Sequence, residues 1–473
     1  MQGRIYGVET EYGAIAFDTS SGTRRAIDHD FTRRLIRVHT DGSSSGFLTN
    51  GGRHYLDTGG HPEYATPECD RIDDLVAAVF AGHAMLGAAR SAVTEQFAAD
   101  GLPSNEVHVY FNNVDSGVTT FGMHENFLVD GTTVHRNVTD VLAPLLASLP
   151  VITGAGSIRA SVNAPRVQIS PRGLRVDGLV SDNARAFSPM VKLHQSPGAD
   201  RRRYGRFQVV CGESNPSEWA LALRMGIIHL GLRLYEEAPH LVPRLAPEDS
   251  VAAIRRFSDF NERATVPANN RRMVSALELQ EHWFDAASEL VHELGAGVDD
   301  RVVLERWRTT LDAAHQGIEA LSRFAVWAQK RVLVEGMQAR SRSAADILAL
   351  DYSFHTVDLD RNISVRAKQR GHMARVSTHD DIVHRISHPP ESTRAQARAN
   401  LLTLTEPKVT TCQWEKVITQ IGAQVLTVDL PDPRRADLPA LPDLMERLRH
   451  GRPLIDLPDS VTVREGQMAG RNR

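Results

Sequence analysis

The sequence predicts an α+β protein in which the N-terminal half supplies a largely antiparallel sheet and helices follow. Two observations carry that reading. Strand-like runs separated by turn residues, with only occasional helices, extend to about residue 212. From there to about 350 the pattern turns helical, with amphipathic runs at 217–236, 273–294 and 301–334. At 473 residues the chain exceeds one ordinary core, and 41% hydrophobic with 24% charged residues is a globular composition.

The first strand, 3–17, contains "GVETEYGAIAF". Strand side chains alternate, so Val8, Thr10 and Tyr12 face one way and Glu9 and Glu11 the other, about 7 Å apart. Two carboxylates so placed repel unless something binds them. Residues 46–69, "GFLTNGGRHYLDTGGHPEYATPEC", read as strand, Asn-Gly turn, strand. An Ala-rich helix over 71–100 ends at Gly101. A second strand pair, "EVHVYFNNVDSG" and "FGMHENFLV", precedes a helix near 139–149 and further strand-like stretches. "HPP" at 388–390 interrupts a helical pattern. Two strand-like runs, 408–422 and 424–433, a helix at 441–449 and a polar tail follow. The expected division is a domain over 1–404 and a small C-terminal domain over 405–473.

Net charge of −4 gives no bulk affinity for nucleic acid or an anionic membrane. Cys69, Cys211 and Cys412 are too scattered for a disulfide scaffold or a structural zinc site, which fits a reducing cytoplasm. No apolar run is expected to span a bilayer, and the chain begins in a strand without a signal-peptide core. A cytoplasmic protein is therefore expected.

The hairpin carries the chemistry. Arg53, Tyr55 and Asp57 alternate on one face, and His61, Glu63 and Glu68 follow. Paired beside the first strand, it would bring Glu9, Glu11, Asp57 and Glu63 to one cavity, the oxygen-rich surrounding that Mg²⁺ prefers. "MHENF" adds His124, which could complete a site, and Glu125, with one carboxylate left as a general base. Acidic residues alternating on one strand are ordinary on a solvated sheet; on three strands together they point to a site. "GAGSIRA" at 154–160 reads as a plain turn, "RRRYGR" at 201–206 as a solvated loop, and Cys211 as a buried thiol.

With these residues laid out, the chain resembles the family of the ligase (PafA) and depupylase (Dop) for Pup, the prokaryotic ubiquitin-like protein of actinobacteria. The resemblance runs through "GVETEYG", "NGGRHYLDTGGHPEYATPECD", "FNNVDSG", "GMHENFLV", "GESNPSE" and "HPPESTRAQARANL" to Trp414. It implies a glutamine-synthetase-like fold, a curved antiparallel sheet forming a cradle for Mg²⁺ and nucleotide, packed by helices, with a small C-terminal domain. It further implies Glu9, Glu11 and Glu63 as Mg²⁺ ligands, Tyr55 and His124 in the metal shell, Asp57 as catalytic base or nucleophile, and Arg394 and Trp414 at the nucleotide. The partners implied are Pup and pupylated proteins, with neither nucleic acid nor membrane.

The sequence also departs from the family. Where both branches read "TRDEPHAD", residues 193–200 read "LHQSPGAD", putting His194 in place of a phosphate-contacting arginine. Gln208 replaces a metal-binding histidine. A ligase depends on placing a γ-phosphate, whereas hydrolysis needs only an activated attacking group and a polarised carbonyl. The expectation is therefore a depupylase, an isopeptidase for the bond between Pup's C-terminal glutamate and a substrate lysine, with ATP or ADP binding in doubt. An ATP-dependent Pup–protein ligase is the alternative, supported by the "ETE" and "YLDTGGHPEYAT" wording and by the short link before the hairpin. A small-molecule carboxylate-amine ligase and an inactive Pup-binding paralogue complete the alternatives.

Overall fold

The computed structural model describes residues 3–25, 29–40, 43, 45–57, 59–102, 105–114, 120–133, 136–181, 188–193, 196, 198–403, 409–421, 424–436, 441–450 and 461–465. His194 and Gln195 lie outside the described residues.

The principal sheet has eight strands: β1 (Tyr6–Glu11), β2 (Ser45–Phe47), β3 (Arg53–Leu56), β4 (Pro62–Ala65), β5 (Met123–Asp130), β6 (Gly178–Val180), β7 (Pro189–Lys192) and β8 (Tyr204–Gly212). Their spatial order is β6-β7-β8-β5-β1-β4-β3-β2. Every pairing is antiparallel except β6 with β7 at one edge. The expected hairpin forms β2 and β3. Gly51 in its turn has φ +81°, the left-handed conformation glycine adopts without strain.

The alternation read in the sequence holds. Along β1, Tyr6, Val8 and Thr10 are buried while Gly7, Glu9 and Glu11 are half-buried, and β5 repeats the pattern from Met123 to Phe127. The buried face packs on helices α1 (Ile72–Ala99), α2 (Arg136–Ser148), α3 (Glu218–Glu237), α4 (Ala276–Leu294) and α5 (Asp300–Gln316). Val8, Phe127 and Phe207 of the sheet share a core with Val76, Leu145, Ile227, Trp283 and Trp307 of these helices. The polar face is left as a cradle.

The expected first strand is two strands. Tyr12 is fully buried, with its hydroxyl 2.9 Å from Nδ1 of His83, and the chain then crosses into a three-stranded sheet of Gly13–Asp18, Thr23–Arg25 and Asn105–Tyr110. Helix α1 is packed between the two sheets, with Val76 and Val79 in one core and Leu86, Val93 and Phe97 in the other. That double burial explains why it is apolar nearly all round. An 18-residue window of α1 has mean hydropathy 1.4, enough to cross a membrane by length and composition, contrary to the expectation of no such run; 67% of it is buried inside the fold.

Near the C-terminus, Val409–Cys412, Lys416–Ile421, Gln424–Asp429 and Val461–Glu465 form a four-stranded antiparallel sheet. The run at 408–422 thus holds two strands, and part of the polar tail supplies the fourth. Helix α6 (Arg394–Leu402) contributes Ala397 and Leu401 to the same core as Val417, Leu426 and Leu444.

One buried carboxylate ties this sheet to the principal one. Glu68, just past β4, accepts from Arg394 Nε at 2.7 Å and from Arg398 Nη1 at 3.0 Å. Arg398 also donates to the Gly51 carbonyl at 2.7 Å and the Trp414 carbonyl at 3.1 Å. Burial by itself would raise the Glu68 carboxyl, but the Arg398 and Arg394 guanidiniums overcome it and hold the group at about 2. Removing one partner of a buried ion pair costs about 3–5 kcal/mol. Glu68→Gln is expected to lower stability by about that amount, read from the urea midpoint at pH 7. The wild-type advantage, present above the ordinary carboxyl range, should fade as pH falls toward 2, where protonated Glu68 resembles glutamine.

Candidate active site

The register of β1 with its two neighbours assembles the polar set. Glu9 stands opposite His124 of β5, Glu11 opposite Glu63 of β4, and Glu63 opposite Tyr55 of β3. Ligand atoms of Glu9, Glu63 and His124 lie within 4.8 Å of one another, and so do those of Glu11, Asp57 and Glu63. Two clusters therefore share Glu63.

Each member is held by named contacts. Glu9 Oε2 is 3.2 Å from Nδ1 of His124 and accepts from Nε2 of Gln208 at 3.1 Å. Arg206 Nη1 reaches Glu9 Oε1 at 3.5 Å. The Gly122 backbone N–H donates to Glu11 Oε2 at 2.8 Å. The backbone N–H of His61 donates to Asp57 Oδ1 at 2.6 Å, and its Nδ1 lies 3.2 Å from Oδ2. The His61 ring stacks on Phe121 at 5.1 Å, linking the Asp57 loop to the segment that binds Glu11.

Electrostatics separates the carboxyls. Burial acts to raise Glu9, yet the hydrogen bond and charge of His124, then Arg206 and Lys192, hold it below the ordinary range. Asp57 is likewise lowered: burial opposes ionisation, and the His61 side-chain and backbone hydrogen bonds outweigh it. Glu63 goes the other way, pushed up to about 9 by burial and by the negative charge of Glu9, against a hydrogen bond from Tyr55, with Glu11 and Asp57 adding repulsion. Tyr55 is raised far above the usual phenol range by burial and by Glu9 and Glu63. The two clusters offer carboxylate oxygens and an imidazole nitrogen within 4.8 Å of one another, and these hard donors fit Mg²⁺.

Other residues that the sequence singles out lie outside the two clusters. Glu125 is fully buried on the opposite face and hydrogen-bonded to Arg224, so it cannot act as a base in the cradle. Adjacent strand residues face opposite ways, which His124 and Glu125 could have revealed. Glu68 belongs to the buried arginine pair. Cys211 is buried, its thiol raised by burial and 3.9 Å from Arg224 Nη2. Arg394 and Trp414 line a pocket beside the cluster together with Glu9, Asn126 and Arg206. Two of the Arg394 nitrogens are committed, to Glu68 and to the Leu430 carbonyl at 2.9 Å.

Arg206 and Lys192 were missed. Arg206 was read with the exposed arginines 201–203, but it lies within β8, two residues from Gln208 and on the same face. The period-two spacing of Arg206 and Gln208 in an apolar run was the available signal.

The sequence model described as Pup-ligase protein matches residues 4–418. The chain belongs to this family. It is 34% identical over 406 residues to a Pup–protein ligase of Acidimicrobium ferrooxidans, covering 84% of this chain and 88% of that one. Identity is 33% over 462 residues with a Pup–protein ligase of Kineococcus radiotolerans, covering 95% and 99%. Among solved structures, the complex of Pup with its ligase PafA matches with TM-score 0.85 and 26% identity over 96% of this chain and 95% of that chain. PafA in complex with ADP matches with TM-score 0.78 and 26% identity over 91% and 96%. The glutamine-synthetase-like cradle expected from the sequence is the fold of this Pup-ligase family member.

These relatives overturn the depupylase reading, since the matched Pup-ligase proteins carry the ligase name. The physical ground for that reading also weakens. Gln208 remains in the cluster as a donor to Glu9, so replacing a histidine there has not removed the contact.

Glu63 also sets a pH dependence. Its folded value near 9 lies above the ordinary 4.5, so its contribution is complete below 4.5 and is lost as pH rises through 9. In metal-free buffer, wild-type stability is expected to decline between pH 4.5 and 9, and Glu63→Gln should flatten that decline, measured by denaturant midpoints across the range.

Proposed function

We propose that this chain is an ATP-dependent ligase that joins the side-chain carboxyl of Pup's C-terminal glutamate to a substrate lysine. The observation that carries the reading is 32–34% identity with four Pup–protein ligases over 84% or more of this chain. The Pup and ADP complexes of the two PafA structures support Pup and nucleotide as what it binds.

A free carboxylate is a poor acyl donor. In this reading its oxygen attacks the γ-phosphorus of ATP and ADP leaves, giving an acyl phosphate. The lysine nitrogen then adds to the acyl carbon and phosphate departs, leaving an isopeptide bond. Asp57, ionised and oriented by His61, takes the proton as the new N–C bond makes the nitrogen acidic. Glu9, Glu11 and Glu63 would hold Mg²⁺, with His124 and Tyr55 orienting them. Mg²⁺ supplies positive charge against the phosphates when bound. Arg394 and Trp414 form the pocket wall proposed for nucleotide.

Incubating the protein with Pup ending in glutamate and a target protein should give a conjugate band only with Mg-ATP. ATP-independent release of Pup from a conjugate, with no conjugation, would reject the ligase. Asp57→Asn is expected to slow conjugation by roughly 10²–10⁴-fold while leaving thermal unfolding unchanged. Glu9→Gln should raise the Mg²⁺ concentration needed for half-maximal conjugation by at least about tenfold, seen in a metal titration at saturating ATP.

A further inference from the structure

A second pocket borders the carboxylate cluster, lined by residues other than those of the pocket that holds Arg394 and Trp414. Glu11 and His124 line it together with Arg172, Arg175 and Lys192. Its cavity is about 140 Å³.

The three cations stand together, and the charge of Lys192 also reaches Glu9. Among the described residues, none of Arg172, Arg175 and Lys192 forms an ion pair, and the Lys192 ammonium has no hydrogen bond. Arg172 gives Nη2 to the Val210 carbonyl at 2.5 Å, while its buried Nε has no partner. Its stem lies on Gly122, where a Cβ would fall 2.6 Å from Arg172 Cδ. Gly122 is also the donor to Glu11, so the guanidinium and the carboxylate cluster are placed by one residue. Lys192, half-buried at the end of β7, pairs across from Gln208, whose amide binds Glu9. Arg172 and Lys192 are half-buried and form no ion pair among the described residues, which leaves them able to take an anion from outside.

This inference rests on the proposed ligase reading. The donor's terminal glutamate carries two carboxyls, one that reacts and one that stays free, separated by four carbon–carbon bonds, roughly 5 Å. With the reacting carboxyl at the Glu11 and Glu63 side, the free one falls toward a wall of opposite charge. We propose that Arg172, Arg175 and Lys192 form a carboxylate subsite that reads the free α-carboxylate of the donor's C-terminal glutamate, with Lys192 as its specificity-determining cation. Phosphate shares the same anion chemistry, and the test separates the two.

Semisynthetic Pup ending in glutamate α-acid or glutamate α-amide is offered to the wild-type protein and to Lys192→Met, Lys192→Arg and Arg175→Gln, with conjugation followed by gel and binding by fluorescence anisotropy. Wild type should prefer the acid at least tenfold in kcat/KM and in binding. Lys192→Met should narrow that preference to under threefold, mainly through KM for the acid, and Lys192→Arg should restore it. Arg175→Gln, at an exposed position, should give a partial loss. Equal use of acid and amide by wild type overturns the subsite. A Lys192→Met defect confined to KM for ATP assigns the cation to phosphate and also overturns it. Neither binding nor conjugation of either Pup by wild type overturns the ligase reading itself, and the subsite's donor with it.

Discussion

The register of β1 against β4 and β5 is the constraint on which the site depends. It sets Glu9 beside His124 and Glu11 beside Glu63. A slip of one residue would turn both carboxylates of β1 into the apolar core and bring Val8 and Thr10 into the cradle. Burying Val8 and Phe127 against the helices is therefore also what points the acids outward. Packing energy on one face fixes electrostatic arrangement on the other.

That arrangement is costly. Glu9 and Asp57 keep their charge because His124 and His61 support them, and Glu63 absorbs the remaining repulsion by holding its proton. The division of roles follows from position: Glu63 alone belongs to both clusters, so it feels Glu9 from one side and Glu11 with Asp57 from the other.

Much of this was legible locally. Period-two alternation predicts the facing of Glu9 and Glu11, and the Asn-Gly turn predicts the hairpin that carries Tyr55 and leads into Asp57. The family resemblance correctly gave the cradle. The sequence was less informative wherever distant segments meet. Lys192 sits at the end of a four-residue strand, and only its pairing with Gln208 brings it near Glu9. The role of Glu68 is not legible locally, because its partners lie 326 and 330 residues away. The substitution at 208 misleads for a related reason: a changed residue type suggests a lost contact, whereas the Gln208 amide reaches Glu9.

The Glu68 clamp has a kinetic consequence. It fastens the wall containing Arg394 and Trp414 to the turn at Gly51, so that wall cannot swing outward without stripping a buried carboxylate of its arginines. At about 3–5 kcal/mol, such an excursion occupies on the order of one molecule in a hundred to one in a few thousand. Arg394 and Trp414 thereby form a wall of the pocket whose place is set by the fold itself.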